Sequence, residues 1–316
     1  MYHYVRDLPR TRFPGIKGLL TDHFEGQLDY ISKTYSVCTL ADVIAASRGQ
    51  AELPHNACVL TFDDGLADHY QTVVPRLLDR GFKGAFFPSA RPLEDHCVLE
   101  VHRIQFVLAA TDDHTQLARE LLNQVEPFRG SFAIPNEKEL RERFESPNRF
   151  DPPETAFVKK MLQWVLPESV RSAVTTKLFQ EYVSNDERGF AQELYMDISQ
   201  LRAMLSAGME IGGHGYNHRW LGKLSSNEQA DEIQRTVNLL GSVAGRAPAD
   251  WVMCYPFGSY NSETLQLVAG KGCACGVTTK VGLANISSPL ELARFDTNDL
   301  PTSATANVSI GSAVVG

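Results

Sequence analysis

The segment ACVLTFDDG, residues 57–65 of the 316-residue chain, decides the fold. Its first six residues are apolar, β-branched or aromatic, which favours a buried strand, and the Asp-Asp-Gly that follows favours a polar loop. A helix is predicted with Pro75 in its first turn, running through Arg80 and stopped by Gly81, and Ala85–Phe87 is the next predicted strand. This strand–helix–strand order predicts a parallel sheet.

Two more polar clusters lie at the ends of predicted strands. The strand Met209–Gly213 runs into His214–His218 (HGYNH), and the strand Trp251–Tyr255 runs into Pro256-Phe257-Gly258. In a parallel barrel the carboxyl ends of the strands converge on one face, so motifs far apart in sequence can meet there. One carboxylate beside two imidazoles is a suitable ligand set for zinc or another divalent metal.

Residues 95–195 follow a different pattern. They contain helix-like segments, dense charge and proline-containing breaks, with hardly any strand signal. We therefore predict a helical insertion that caps the barrel mouth, and a core domain formed by residues 1–94 and 196–316. That core has about 215 residues, a size that suits one barrel.

Composition and charge exclude several classes of protein. Apolar residues make up 43% and charged residues 22% of the chain, which excludes a disordered or collagen-like protein. The balance of 30 basic against 38 acidic residues gives a net charge of −8, which argues against non-specific binding of nucleic acid or anionic membranes. Six cysteines at irregular spacing are expected to be reduced thiols.

The first seventeen residues indicate the expected location. They are polar, basic and interrupted by prolines, with no apolar region typical of a signal peptide. No apolar run approaches the roughly 18 residues of a membrane span. We expect a cytoplasmic protein without a membrane span, with a missing native leader as the alternative; the sequence leaves the oligomeric state open.

Together these motifs resemble the polysaccharide deacetylases with a NodB-homology domain, which form carbohydrate esterase family four. The first three motifs of that family are similar to Thr61–Gly65, to His214-x-x-x-His218 and to Tyr255–Gly258. The opening Tyr2–Val5 and the segment Leu292–Phe295 also match members of the family. The resemblance covers about two thirds of the chain and skips the predicted insertion.

The resemblance implies a distorted (β/α)7 TIM-like barrel that hydrolyses N-acetyl groups of amino sugars, with a carbohydrate as its substrate. Asp63 would be the general base, and Asp64, His214 and His218 would bind the metal. The metal would be Zn²⁺ by default, or Co²⁺ or Ni²⁺, which such nitrogen and oxygen sites also accept. The backbone N–H of Phe257 would stabilise the oxyanion together with the metal.

The chain departs from the family pattern in two places. Many relatives carry an arginine two positions before the proline of the third motif, where it holds the base, but here that position is Cys254. Arg294 is a candidate to supply the missing cation, and a surface or structural ion pair is an equally good interpretation. The late leucine-x-x-His motif, the family's source of the general acid, is absent, since all nine histidines precede residue 219 (3, 23, 55, 69, 96, 102, 114, 214 and 218).

A different group must therefore protonate the leaving amine. His3, His69 and His102 are candidates, and Asp63 could also return the proton that it takes from water. We predict His3, because a residue on a core strand is held more rigidly than one in a loop or an inserted helix.

Two alternative functions remain open. The same fold could act as an amidase on a non-sugar amide or as an O-acetyl esterase, on a substrate that is not a polymer. A carbohydrate-binding protein with decayed catalysis is the alternative from another class; the missing acid favours it, and the retained metal-type residues oppose it.

Overall fold

The computed structural model describes residues 1–147 and 151–303 of the chain. Its strands are β1 Val5–Arg6, β2 Leu19–Leu20, β3 Ser36–Val37, β4 Ala57–Cys58, β5 Leu60–Asp64, β6 Gly84–Pro88, β7 Glu210–Ile211, β8 Trp251–Cys254 and β9 Cys273–Val277. Its α-helices are α1 Thr21–Thr34, α2 Leu40–Ser47, α3 Val74–Asp79, α4 Ala90–Asp95, α5 Glu100–Ala109, α6 His114–Val125, α7 Glu137–Phe144, α8 Pro153–Lys160, α9 Glu168–Tyr182, α10 Glu187–Leu194, α11 Ile198–Ser206, α12 Ser226–Ala244 and α13 Ser262–Gly270. The prediction of an α/β protein is confirmed.

The chain divides into two compact units. The first consists of Met1–Asp7, Gly18–Cys97 and residues from Gln192 onwards, and the second of Leu8–Lys17 and Val98–Ala191. Residues 8–17 group with the second unit, although the predicted boundaries place them in the core domain. The role of residues 95–195 as a cap stays a prediction.

The paired strands described in the first unit are parallel, and parallel bridges join β5, β6, β7, β8 and β9 with the segments at Tyr2 and Leu292 in a ring. The paired strands are β1 with β2, β3 with β4, β5 with β6 and β7, and β8 with β9. Parallel bridges add Tyr2 to Phe62, Gly213 to Met253, and Val277 to Leu292. The ring is completed where the amino group of Met1 donates to the carbonyl of Phe295 at 2.6 Å.

The alternation of side chains along β5 separates the core from the site. Phe62 stacks on Phe86 of β6 at 4.7 Å and packs edge-on against Phe24 of α1 at 6.1 Å. These three rings are fully buried. Because successive strand residues point to opposite faces, Thr61 and Asp63 lie on the other face from Phe62. A single strand therefore supplies both core packing and a polar group.

Aromatic packing explains why residues 8–17 belong to the second unit. Phe13 packs edge-on against Phe106 of α5 at 5.3 Å and against Phe190 of α10 at 6.0 Å. The ammonium of Lys17 also contacts the buried carboxylate of Asp151 at 2.6 Å. These are contacts between segments far apart in sequence, which helical periodicity does not reveal.

One predicted strand is shorter than expected. Only Leu292 of the predicted strand Leu292–Phe295 forms a bridge, with Val277. The extended backbone beyond it donates from Arg294 to the carbonyl of Lys280 instead of continuing the ladder. None of the helices in the described part of the chain has the length and hydropathy needed to cross a membrane.

Candidate active site

The parallel strands bring the ends of the motif-bearing segments to one edge. Asp64 ends β5, which pairs with β6, and β6 pairs with β7. Beyond β7 the backbone bridges to β8 through Gly213 and Met253, so His214 follows at the same edge. Because carboxyl ends of parallel strands meet on one side of a sheet, the first two motifs become neighbours.

The carboxylate of Asp64 lies beside both predicted histidine ligands. Its Oδ1 is 3.4 Å from Nε2 of His214 and 3.4 Å from Nε2 of His218, and the three ligand atoms lie within 4.8 Å of one another. Two ligand atoms of a tetrahedral zinc site, with bonds of about 2.0–2.1 Å, are separated by about 3.3 Å. The three side chains therefore fit a divalent ion of that size.

Hydrogen bonding fixes the orientation of the His214 ring. Its Nδ1 is 2.7 Å from the carbonyl oxygen of Cys254, so Nδ1–H donates and Nε2 directs its lone pair towards Asp64. Burial disfavours the imidazolium, but the Cys254 thiol and the Asp64 carboxylate outweigh burial and raise the pKa of His214. A proton therefore competes with a metal ion for Nε2.

A second possible ligand group overlaps with the first. Asp63, His214 and Cys254 also have ligand atoms within 4.8 Å of one another. Both carboxylate oxygens of Asp63, however, already accept hydrogen bonds from Arg294. The group that contains Asp64 is therefore the better candidate for holding a metal ion.

Three site residues adopt the left-handed backbone conformation that non-glycine residues rarely adopt. Asp64 has φ 76°, His218 has φ 51° and Phe257 has φ 56°. They are half of the six such non-glycine residues within the described ranges, and strain of this kind clusters at functional sites. The next residue, Gly65, also has positive φ, and a Cβ there would lie 2.7 Å from the Cβ of Pro88. The Asp-Asp-Gly turn therefore needs its glycine.

The carboxylate of Asp63 is held by a buried guanidinium. Arg294 donates from Nη1 to Oδ1 at 2.8 Å and from Nη2 to Oδ2 at 2.9 Å, and the two side chains are 6% and 3% exposed. Burial by itself would raise the pKa of Asp63, but the charge and hydrogen bonds of Arg294 outweigh burial and lower it well below its usual range. Arg294 therefore favours the ionised form of the Asp63 carboxylate.

Three further contacts fix the guanidinium of Arg294. Its Nε donates to the carbonyl of Thr278 at 2.8 Å, and Nη1 donates to Oγ1 of Thr61 at 3.2 Å. Its Nη2 lies 3.4 Å from Sγ of Cys254. The thiol thus borders the guanidinium at the position where many relatives have an arginine.

The three candidate acids differ in their surroundings. Nε2 of His3 is 3.9 Å from Oδ2 of Asp63, and the His3 side chain is 40% exposed. His69 is fully buried, and its Nε2 lies 2.9 Å from the carbonyl oxygen of His3; burial lowers the pKa of His69. His102 is buried in α5 of the second unit. Of these three candidates, His3 alone combines a place in the first unit with a solvent-accessible imidazole beside Asp63.

Aromatic contacts hold the strained backbone at Phe257. Its ring stacks on Trp220 at 4.4 Å with an interplanar angle of 7°, and meets His218 edge-on at 4.5 Å. Across residues 1–147 and 151–303 we find no hydrogen-bond acceptor for its N–H. The N–H is therefore available to an oxygen atom of a ligand.

Sequence reasoning missed Trp220 and Glu232. Trp220 packs on the predicted oxyanion residue, and Glu232 of α12 accepts hydrogen bonds from the backbone between the two predicted histidine ligands. The one unusual feature of Glu232 is a charged side chain next to Ile233 on the buried side of helix α12, where carboxylates are rare.

Comparisons with known proteins agree with the motifs. A sequence model of the polysaccharide deacetylase family matches residues 173–275, a range that includes His214, His218 and Phe257 and leaves out the first motif. A putative polysaccharide deacetylase of Bacillus subtilis, YxkH, is 30% identical over 86 residues, which are 27% of this chain and 30% of that protein. The peptidoglycan deacetylase of Helicobacter pylori is 27% identical over 73 residues, which are 23% of this chain and 24% of that protein.

A solved structure extends the likeness to the whole fold. The Streptococcus pyogenes deacetylase PplD, in complex with acetate, superposes with a TM-score of 0.56 at 17% identity, over 93% of this chain and 88% of that chain. The matches to the curated relatives span less than a third of their length. The resemblance predicted from the motifs is confirmed.

Proposed function

We propose, from the premise that this chain is a relative of the polysaccharide deacetylases, that it is a metal-dependent hydrolase that removes N-acetyl groups from an amino-sugar-containing saccharide. One observation carries the proposal: a carboxylate kept ionised by Arg294 adjoins a separate three-residue ligand set. The two carboxylates have different partners, so one is suited to bind a cation while the other accepts a proton.

The proposed roles follow from the contacts of each residue. Asp64, His214 and His218 would hold the metal, which when bound lowers the pKa of a water molecule and polarises the acetyl carbonyl. Asp63 accepts the proton of the attacking water, because its hydrogen bonds to Arg294 keep it ionised. The N–H of Phe257 donates to the oxygen that becomes negative in the transition state.

The leaving amine also needs a proton. We assign that step to His3, because its imidazole lies beside Asp63 and is accessible to solvent. An amine expelled without protonation is a very poor leaving group, so this step limits amide hydrolysis more than ester hydrolysis.

We further propose that the ring of parallel segments is a distorted (β/α)7 barrel. Seven extended segments around residues 2, 62, 86, 211, 253, 276 and 292 are joined in sequence by parallel backbone pairing. The bonds of Met1 and Phe295 join the last to the first. In such a barrel the active site lies at the carboxyl ends of the strands, where the motif residues lie.

Two other functions remain to be separated from this one. An O-acetyl esterase or an amidase on a non-sugar substrate would use the same base and ligand set. A carbohydrate-binding protein with decayed catalysis would have no need for an ionised Asp63 next to a strained Asp64, and this observation favours an enzyme.

Acetate release tests the proposal. Purified protein is incubated with N-acetylated chitooligosaccharides and, in parallel, with O-acetylated sugars, each with and without a chelator. Release from the chitooligosaccharides alone, abolished by chelator and restored by Zn²⁺ or Co²⁺, supports N-deacetylation. Release from the O-acetylated sugars alone supports the esterase. No release from either would contradict the proposal, and a non-sugar N-acetyl substrate then separates the amidase from the decayed protein.

A further inference from the structure

We propose that Glu232 is a positioning residue of the metal-binding loop, whose buried carboxylate holds the backbone between His214 and His218. The backbone N–H groups of Tyr216 and Asn217 both donate to Oε2 of Glu232, each at 2.9 Å. Glu232 is 5% exposed. The inference rests on the proposed function, because it concerns the same metal site.

Helix α12 approaches the loop closely enough to act as its support. A Cβ at Gly213 would lie 2.1 Å from Cγ2 of Thr236, and a Cβ at Gly215 would lie 3.4 Å from Oε2 of Glu232. Gly215 also has φ 71°, which side chains rarely allow. Glycine at these two positions therefore lets the backbone reach the helix that carries the carboxylate.

The opposite side of the loop is held by the segment that begins α4. Ser89 Oγ donates to the carbonyl of His214 at 2.8 Å, and the N–H groups of Ala90 and Arg91 donate to the carbonyls of Gly215 and Tyr216. The carbonyl groups of the loop thus accept hydrogen bonds from the start of α4, and two N–H groups of the loop donate to α12. Glu232 supplies the single oxygen that receives both of those N–H groups.

Burying the carboxylate of Glu232 costs free energy unless hydrogen bonds compensate for the water that it loses. Burial raises the pKa of Glu232, and the two N–H bonds counteract that rise. Hydrogen bonds to an ionised acceptor are roughly twice as strong as those between neutral groups. A neutral side chain would therefore hold the loop more weakly, and both histidine rings would lose part of their preorganisation.

The test measures metal affinity and needs no substrate. Apo-protein is titrated with Zn²⁺ in competition with a chromophoric chelator for the wild type, Glu232→Ala, Glu232→Gln and a control, Gln229→Ala. Gln229 is on the same helix, fully buried, and bonded to Leu224 and Thr264 rather than to the loop. Visible spectra of the Co²⁺-substituted proteins report ligand geometry independently of affinity.

We expect Glu232→Ala to weaken Zn²⁺ binding by about 10–100-fold, the usual effect of removing a group that orients metal ligands. Glu232→Gln should be intermediate with an altered Co²⁺ spectrum, and Gln229→Ala should lower the thermal midpoint while keeping the Kd within about twofold. Wild-type Kd in Glu232→Ala would overturn the inference. If that variant does not fold, wild-type Kd and spectrum in Glu232→Gln would overturn it.

Failure of this inference can be told apart from failure of the proposed function. If the wild type releases no acetate but the Kd values follow the expected order, the function is wrong and the role of Glu232 stands. If acetate is released and the Glu232 variants bind Zn²⁺ like the wild type, the function stands and the positioning role is wrong.

Discussion

Arg294 and Asp63, 231 positions apart in the sequence, form a buried ion pair through two hydrogen bonds of 2.8 and 2.9 Å. Removing two charges from water is costly, and such a pair often stabilises a protein no more than a well-packed apolar pair would. Its effect on the ionisation of Asp63 is larger, because burial alone would favour the protonated acid. The pair is therefore better explained by the chemistry of the site than by the stability of the fold.

The first prediction concerns the pH–rate profile of Arg294→Gln. Without the guanidinium, burial raises the pKa of Asp63, so the base is protonated over a wider range of pH. If that pKa comes to lie one unit above the assay pH, activity falls about tenfold and recovers as pH rises. The measurement is kcat/KM against pH for the wild type and Arg294→Gln. An acid limb at the same pH in both would contradict the role of Arg294.

The second prediction is a matching change in stability with pH. In the wild type the pKa of Asp63 is lower in the folded than in the unfolded protein, so the pair stabilises the fold above about pH 4 and this contribution is lost as pH falls further. In Arg294→Gln the pKa of Asp63 should be higher in the folded than in the unfolded protein. The stability of this variant should therefore rise as pH falls from 7 towards 4. Removing one partner of a buried pair costs about 3–5 kcal/mol at neutral pH. Thermal midpoints of the apo-proteins across this pH range check the direction of both changes in stability. The control is Arg48→Gln, which breaks the solvent-exposed ion pair between Arg48 and Asp250.

The sequence predicted the parts of the site that depend on local patterns. Asp64 and His214 each lie at the end of a predicted strand, and parallel pairing is enough to place both at one edge. The same reasoning named Arg294 but could not choose between an ion pair at the surface and one with the base. That choice depends on the ring of strands bringing residue 294 beside residue 63, a contact that no local pattern encodes.

Other features could not be predicted from sequence patterns, again because they depend on contacts between residues far apart in the sequence. The left-handed conformation of Phe257 results from packing against Trp220 and His218, since phenylalanine itself disfavours it. Residues 8–17 join the second unit through Phe13, whose partners lie about ninety or more positions away. Helical and strand periodicity report which face of an element is buried, and not against which partner.

The third prediction tests the ligand set with His214→Ala. Loss of Nε2 removes one of three protein ligands, so the purified variant should retain almost no divalent metal and no activity. The exposed His55 provides the matched control, since His55→Ala removes the same side chain without touching the site. Metal content is measured by mass spectrometry, with circular dichroism to verify folding. A folded His214→Ala protein with wild-type metal content would show that the ligands were assigned wrongly.

The fourth prediction separates the base from the ligands with Asp63→Asn. The amide is nearly isosteric but cannot accept the proton from water, so kcat should fall by about 10²-fold or more. Metal content should stay at the wild-type level, because both oxygens of Asp63 bind Arg294 rather than the metal site. Asp64→Asn is the matched comparison and should lower both metal content and kcat. Unchanged kcat in Asp63→Asn would exclude the role of base.

The last prediction concerns the proton that the leaving amine needs. His3 has its Nε2 3.9 Å from Asp63 and a side chain that is 40% exposed, while the carbonyl of His3 lies 2.9 Å from the buried ring of His69. This contact holds the backbone of His3, while its partly exposed imidazole lies beside Asp63. An acid in this role produces the alkaline limb of the pH–rate profile, because activity falls once it has lost its proton.

We therefore expect His3→Ala to lower kcat by about 10²-fold on an N-acetylated oligosaccharide and to remove the alkaline limb. An O-acetylated sugar should be affected much less, because an alkoxide leaves more readily than an amide anion. The control is His23→Ala, at an exposed position of α1. If His3→Ala retains both limbs and its kcat, the proton comes from elsewhere. His69→Ala or His102→Ala would then have to remove the limb, and if neither does, Asp63 itself returns the proton that it took from water.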